Sequence, residues 1–109
     1  MKTFNQLNIN DVLYILTEYD DLYICKVTKI IESWRMKRII YDYADKYTVK
    51  MTSRYIDIPE IAFDDTIYME SNSACLFELY LNKNEVLEDL DKRIDILMGH
   101  KNTLNDLYK

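Results

Sequence analysis

Apolar residues along the chain recur mostly with a period of two, and near the end the period changes to three and four. Val12 to Leu16 is apolar on both faces, the pattern of a strand buried from two sides or wrapped within a small barrel. Phe4, Leu7 and Ile9 anchor a lead-in before it. Asp20-Asp21 predicts a hairpin turn, after which Tyr23, Cys25 and Val27 alternate with Lys26 and Thr28 along Leu22 to Ile31. Lys37 to Tyr43 repeats the pattern, with Ile39, Tyr41 and Tyr43 opposite Arg38 and Asp42, and Ala44-Asp45-Lys46 is expected to turn it. Tyr47 to Thr52 predicts Tyr47, Val49 and Met51 inward and Thr48, Lys50 and Thr52 outward. Ile56, Ile58 and Pro59 predict a short extended stretch at an edge, because proline has no N–H for an inner ladder. Thr66 to Glu70 and Ala74 to Leu81 form a second hairpin through Ser71-Asn72-Ser73, with Cys75, Phe77, Leu79 and Leu81 directed one way.

From Asn82 the spacing is helical. Asn82 is placed to cap a helix and Glu85 to complete a capping box, with Glu88 and Asp89 favoured near the positive helix start. Leu87, Leu90, Ile94 and Leu97 form one stripe, while Asp91, Lys92 and Asp95 face away. The stripe is expected to pack on the sheet as a lid; two heptads are too few to claim a coiled coil. Gly99 is expected to end or kink the helix, and Thr103 to Leu107 to add a turn or fray.

Together these elements predict an α+β fold: a small antiparallel β-barrel or curled sheet with one C-terminal amphipathic helix. Residues 1–109 are expected to be a single domain, comprising a β module over 3–81, a helix over 82–98 and a tail over 99–109. A chain of 109 residues has room for one core. With only one glycine and one proline, its turns fall to Asn and Asp, which tolerate left-handed backbone angles.

The chain is 49% hydrophobic and 30% charged, too apolar for a disordered chain and too charged for a membrane protein. It has no run of bilayer-spanning length and no apolar signal core near its start, so a cytoplasmic location is expected. Cys25 and Cys75 are expected to be buried free thiols. Two distant cysteines and one histidine do not make a structural zinc site, and a single glycine does not make a phosphate-binding loop. No cofactor or metal is expected. His100 would need a nucleophile such as Cys25 or Cys75 within reach, but both cysteines occupy in-facing positions where a thiol stays protonated. An acid cluster around Glu60, Asp64 and Asp65 lacks calcium-loop spacing and reads as a solvated edge. No catalytic residue is assigned, and the chain is expected not to be an enzyme.

Net charge is −5, which argues against a surface that tracks a phosphate backbone throughout. The charges are segregated, however. Residues 35–54 carry Arg35, Lys37, Arg38, Lys46, Lys50 and Arg54 against Asp42 and Asp45, whereas residues 55–81 carry Asp57, Glu60, Asp64, Asp65, Glu70 and Glu78 with no Lys or Arg. Two binding segments follow: a basic one of Trp34, Arg35, Lys37, Arg38, Lys50 and Arg54, and an acidic one of Asp57, Glu60, Asp64, Asp65 and Glu70. Aromatics interleaved with cations, including Tyr41, Tyr43 and Tyr47, would suit nucleic acid. Ten tyrosines suit a protein interface.

The opening T-F-x-x-L-x-I-x-D-x-L-Y and the closing L-Y-L-N-K-N-E-V-L-E-D-L-D-K-R-I resemble small SH3-like barrel proteins of phages and mobile elements, although Asn10 stands where that pattern often has glycine. The resemblance implies a non-catalytic accessory factor, either an inhibitor of host systems, anti-CRISPR proteins included, or a small virion component. A protein partner is therefore expected, with a nucleic-acid-binding module using residues 35–54 as the alternative. No membrane partner is expected, and a homo-oligomer remains open through an edge strand or the Leu87 to Leu97 stripe.

Overall fold

A computed structural model describes residues 1–44, 50–71 and 75–107. Six strands form one antiparallel sheet among these residues: β1 (Val12–Thr17), β2 (Leu22–Ser33), β3 (Met36–Ala44), β4 (Met51–Pro59), β5 (Ile67–Ser71) and β6 (Leu76–Tyr80). Their order across the sheet is β4-β3-β2-β1-β6-β5. The sheet curls into a half-barrel, and one helix, α1 (Lys83–Leu107), follows it. The α+β curled-sheet expectation is therefore met.

The period-two pattern sorts the side chains onto two faces. On the concave face Leu13, Ile15, Cys25, Val27, Ile39, Tyr41, Ile56, Ile58 and Leu79 make the main core. Two 3-10 turns, Phe4–Gln6 and Glu60–Ala62, plug it with fully buried Phe4 and with Ala62. The Phe4 N–H donates to the Asp65 carbonyl at 3.1 Å, which fastens the lead-in to the loop before β5. β1 lies centrally and is apolar on both faces for a visible reason: Leu13 and Ile15 serve the main core, while Tyr14 and Leu16 meet α1 on the opposite face.

β2 keeps its apolar residues inward through a bulge. Val27 pairs with Tyr41 and Lys29 with Ile40, so Thr28 is an extra residue between them. Its hydroxyl donates to the Ile40 carbonyl at 3.2 Å. The bulge resets the alternation so that Ile30, instead of Lys29, packs on the core. Left-handed turn positions fall on Asn10 and Asp20, as the scarcity of glycine predicts, and also on Arg35.

Several local expectations are corrected. In β4, Met51 is exposed and Thr52 half-buried. The strand runs on to Pro59 at the sheet edge, so its inward set is centred on Ile56 and Ile58. Tyr47, Thr48 and Val49, the Asp45-Lys46 turn and Asn72-Ser73 lie outside the described residues. β5 and β6 do pair antiparallel, but Cys75 is only half-buried. On β6, Tyr80 is buried as well as Leu79, because α1 covers the other face.

The larger correction concerns α1. It runs from Lys83 to Leu107 straight through Gly99, where an added Cβ would meet nothing within 4 Å. The helix does not end at residue 98, nor does it lie wholly on the sheet as a lid. Val86 is buried and Leu90 half-buried against Leu16 and Tyr80. Arg93 marks the last tie, donating to the Thr17 carbonyl at 2.8 Å and pairing with Asp20 at 2.7 Å. Beyond it Ile94, Leu97 and Leu104 are 56%, 58% and 56% exposed. The helix projects past the sheet, consistent with molecular extents of 59 × 33 × 26 Å.

Candidate functional site

The pairing of β3 with β4 decides the fate of the two charged segments. It sets Arg38 opposite Asp57, and the two side chains make a bidentate pair at 2.8 and 3.0 Å. The Arg38 guanidinium also lies 4.2 Å from the centre of the Tyr55 ring. Its hydrogen bond holds the Asp57 carboxyl below its ordinary range despite some desolvation, and the Arg38 charge adds to this. The basic and acidic segments thus face each other across one hairpin, and part of each is spent on the other.

Lys37, placed in the basic segment, is not a surface cation. It lies on the concave face of β3 and is only 4% exposed. Its ammonium donates to the Phe4 carbonyl at 3.2 Å, stands 3.6 Å from Glu32 and 5.2 Å from the centre of the Phe63 ring. Those three partners compensate the loss of water around a buried charge. Lys37 therefore locks the Phe4 turn to the sheet. Every buried side-chain nitrogen or oxygen among the described residues likewise has a hydrogen-bond partner.

Arg54 is exposed and its guanidinium is bonded to the Tyr43 hydroxyl, which raises the Arg54 pKa further. Lys50 is exposed just before β4. Asp64 and Asp65 are exposed, and Asp64 accepts a hydrogen bond from the Asn5 amide at 3.1 Å. Glu70 is half-buried on β5, and desolvation, with the Asp57 charge second, raises its pKa. Cys25 is in the core, where burial pushes its thiol up to about 12. His100 is exposed on the projecting half of α1. No cluster of three or more His, Cys, Asp or Glu able to hold a metal ion occurs among the described residues.

What the fold does bring together is an apolar tip. The β2–β3 hairpin turns at Trp34-Arg35, and Arg35 adopts a left-handed φ of 62°. Its carbonyl accepts a 3.0 Å hydrogen bond from the Glu60 N–H, which docks the 3-10 turn Glu60–Ala62 against the hairpin end. Trp34 is 83% exposed and Ile61 is 91% exposed, and exposed Met36 follows Arg35. The Arg35 guanidinium stacks 4.3 Å from the Trp34 ring and stands 4.0 Å from the Glu60 carboxylate. Trp34, Arg35 and Glu60 were candidates from the sequence; Ile61 and Met36 were not. Their signal was adjacency to Pro59 and Arg35, which acquires meaning only once β4 is known to return to the β2–β3 turn.

Shallow depressions lie at two places among the described residues. One of about 490 Å³ is bordered by Lys2, Leu81, Asn82 and Glu85, and another of about 770 Å³ by Asn5, Leu7, Ile30 and Lys37. At the first, the Asn82 side chain bonds the Lys2 backbone through both its oxygen and its nitrogen, at 3.1 and 3.0 Å. Its amide nitrogen also reaches Glu85 at 3.1 Å. Asn82 thus precedes the helix as predicted, but its carbonyl oxygen is engaged by the N-terminal segment.

No helix among the described residues is long and apolar enough to cross a membrane. No protein-family model, curated protein or solved structure matches the chain.

Proposed function

We propose that the protein is a non-catalytic binding module whose partner is another protein, engaged through the Trp34–Ile61 tip. The observation that supports this reading is the exposure of two large apolar side chains, Trp34 and Ile61, on two turns that the hydrogen bond from the Glu60 N–H to the Arg35 carbonyl fastens together. Exposed tryptophan, with arginine stacked on it, is the residue type that dominates binding energy when it enters a pocket on a partner. The sequence resemblance adds the expectation of a phage or mobile-element accessory factor, acting as an inhibitor of a host system or as a virion component. The nucleic-acid alternative draws less support, since Lys37 is buried and Arg38 is paired with Asp57.

The test is affinity capture from a host lysate with the tagged chain, run beside Trp34→Ala and Ile61→Ser. Capture of one protein that survives high salt and is lost in both variants is the expected result. Retention of that protein by both folded variants would sink the reading. Nucleic acid recovered with steep salt dependence, and lost when Arg35 and Lys50 become Ala, would replace it with the alternative.

A further inference from the structure

We infer that Arg35 is a positioning residue: it holds the Trp34 ring in place at the tip, at a cost in the stability of the turn. The inference rests on the tip reading above. Among the described residues, left-handed backbone falls on Asn10, Asp20 and Arg35, with φ of 75°, 66° and 62°. Asn and Asp tolerate this region, and the first two positions obey that preference. The third does not. Trp34 and Arg35 join the paired residues Ser33 and Met36, and only the second of the two is left-handed, a position that turn chemistry gives to glycine or asparagine. Arginine there brings Cβ strain without the local hydrogen bond that Asn or Asp can make. A departure from turn preference confined to one exposed tip points to a use for the side chain.

The contacts of that side chain say what the use is. The Arg35 guanidinium lies 4.3 Å from the centre of the Trp34 ring and 4.0 Å from the Glu60 carboxylate, so one side chain reaches both turns of the tip. Its own carbonyl accepts the Glu60 N–H at 3.0 Å, which fixes the spacing of the two turns. Trp34 is 83% exposed and has little protein to lean on, so a flat cation against its face restricts the ring where burial does not. Lysine would supply the same charge without the planar face. The exposed ion pair with Glu60 is the weaker of the two ties. A ring already held in place loses less freedom when it enters a pocket on a partner, and so binds more tightly for the same contacts.

Trp34 is the only tryptophan in the chain, so its fluorescence reads the tip alone and needs no partner. The test is the time-resolved anisotropy of the full-length chain and of Arg35→Asn, Arg35→Lys and Glu60→Gln, with a thermal melt of each. Arg35→Asn should melt as high as the parent or up to about 5 °C higher, while the amplitude of nanosecond motion of the indole rises about twofold. Arg35→Lys should free the ring to the same extent without the gain in melting temperature, and Glu60→Gln should free it less. Toward the protein captured by the parent chain, Arg35→Asn and Arg35→Lys should each bind about two- to tenfold more weakly, mainly through faster dissociation. An anisotropy decay unchanged by Arg35→Asn would overturn the inference, as would full restraint of the ring by lysine or a marked fall in the melting temperature of Arg35→Asn. The two readings fail separately. Capture indifferent to Trp34→Ala removes the tip, whereas capture that needs Trp34 but is indifferent to Arg35→Asn removes only this inference.

Discussion

The two halves of α1 carry the same apolar periodicity and meet opposite surroundings. In the first half Val86 and Leu90 close over Leu16 and Tyr80, and Arg93 is tied to the β1–β2 turn. In the second half the stripe continues through Ile94, Leu97 and Leu104 with no sheet beneath it. Periodicity therefore reports which side of a helix is apolar and says nothing about what covers it. The neighbours Lys37 and Arg38 repeat the lesson on a strand. One cation is buried under the Phe4 turn, and the next is paired with Asp57 on the outer face.

The contrast predicts a descending series of effects. Leu16→Ala, beneath the anchored half, should cost about 2–5 kcal/mol of unfolding free energy in urea titration; a loss below about 1 kcal/mol would mean that the anchored half is as loose as the projecting one. Lys37→Ala should cost about 1–3 kcal/mol by the same measurement, since it removes a charge-assisted hydrogen bond to the Phe4 carbonyl, which keeps only the 3.4 Å bond from the Leu7 N–H. Arg38→Ala should cost about 0–1 kcal/mol. Because Asp57 has a depressed pKa when folded, the contribution of its pair with Arg38 is present above about pH 4 and fades as pH falls further. Ile94→Ser should shift the stability by no more than about 0.5 kcal/mol.

Glu70→Gln is the smallest and differs in sign. The folded state raises the Glu70 pKa by desolvation first and the Asp57 charge second. The stability linked to its protonated form is full below the ordinary glutamate value and is lost as pH rises through the raised one. The variant should therefore melt slightly higher than the parent at neutral pH and equally at about pH 3. Thermal melts across that range read the difference.

The strands were largely legible, because alternation around Val27, Ile39 and Leu79 marks one buried face, and so were the hairpin pairings of β1 with β2 and of β5 with β6; the pairing of β1 with β6 was not. The bulge at Thr28 was not. It is a two-strand property, visible only when Val27 and Lys29 are matched to successive residues of β3. The charged segments misled for a related reason. Arg38 and Asp57 lie nineteen residues apart, and only the β3–β4 register brings them together. Lys37 was misplaced because its in-facing position in the alternation was outweighed by its charge. The helix extended past Gly99 because one glycine costs only about 1 kcal/mol in a helix interior, too little by itself to stop one. Of the tip, Trp34 was legible as an exposed aromatic among cations, whereas Ile61 depended on where the chain returns after Pro59.

The central position of β1 has a consequence for the order in which the structure assembles. One of its neighbours, β2, follows directly, but the other, β6, lies about sixty residues further along, as in the pairing of Leu16 with Glu78. During synthesis the residues of β1 to β4 emerge before those of β5, β6 or α1. Until they do, one hydrogen-bonding edge of β1 stands open beside Tyr14 and Leu16. Closing that edge is the long-range step of the fold and carries its largest loop-closure entropy. Conditions that slow elongation past Pro59 therefore lengthen the interval in which the nascent chain exposes an edge able to pair with another chain.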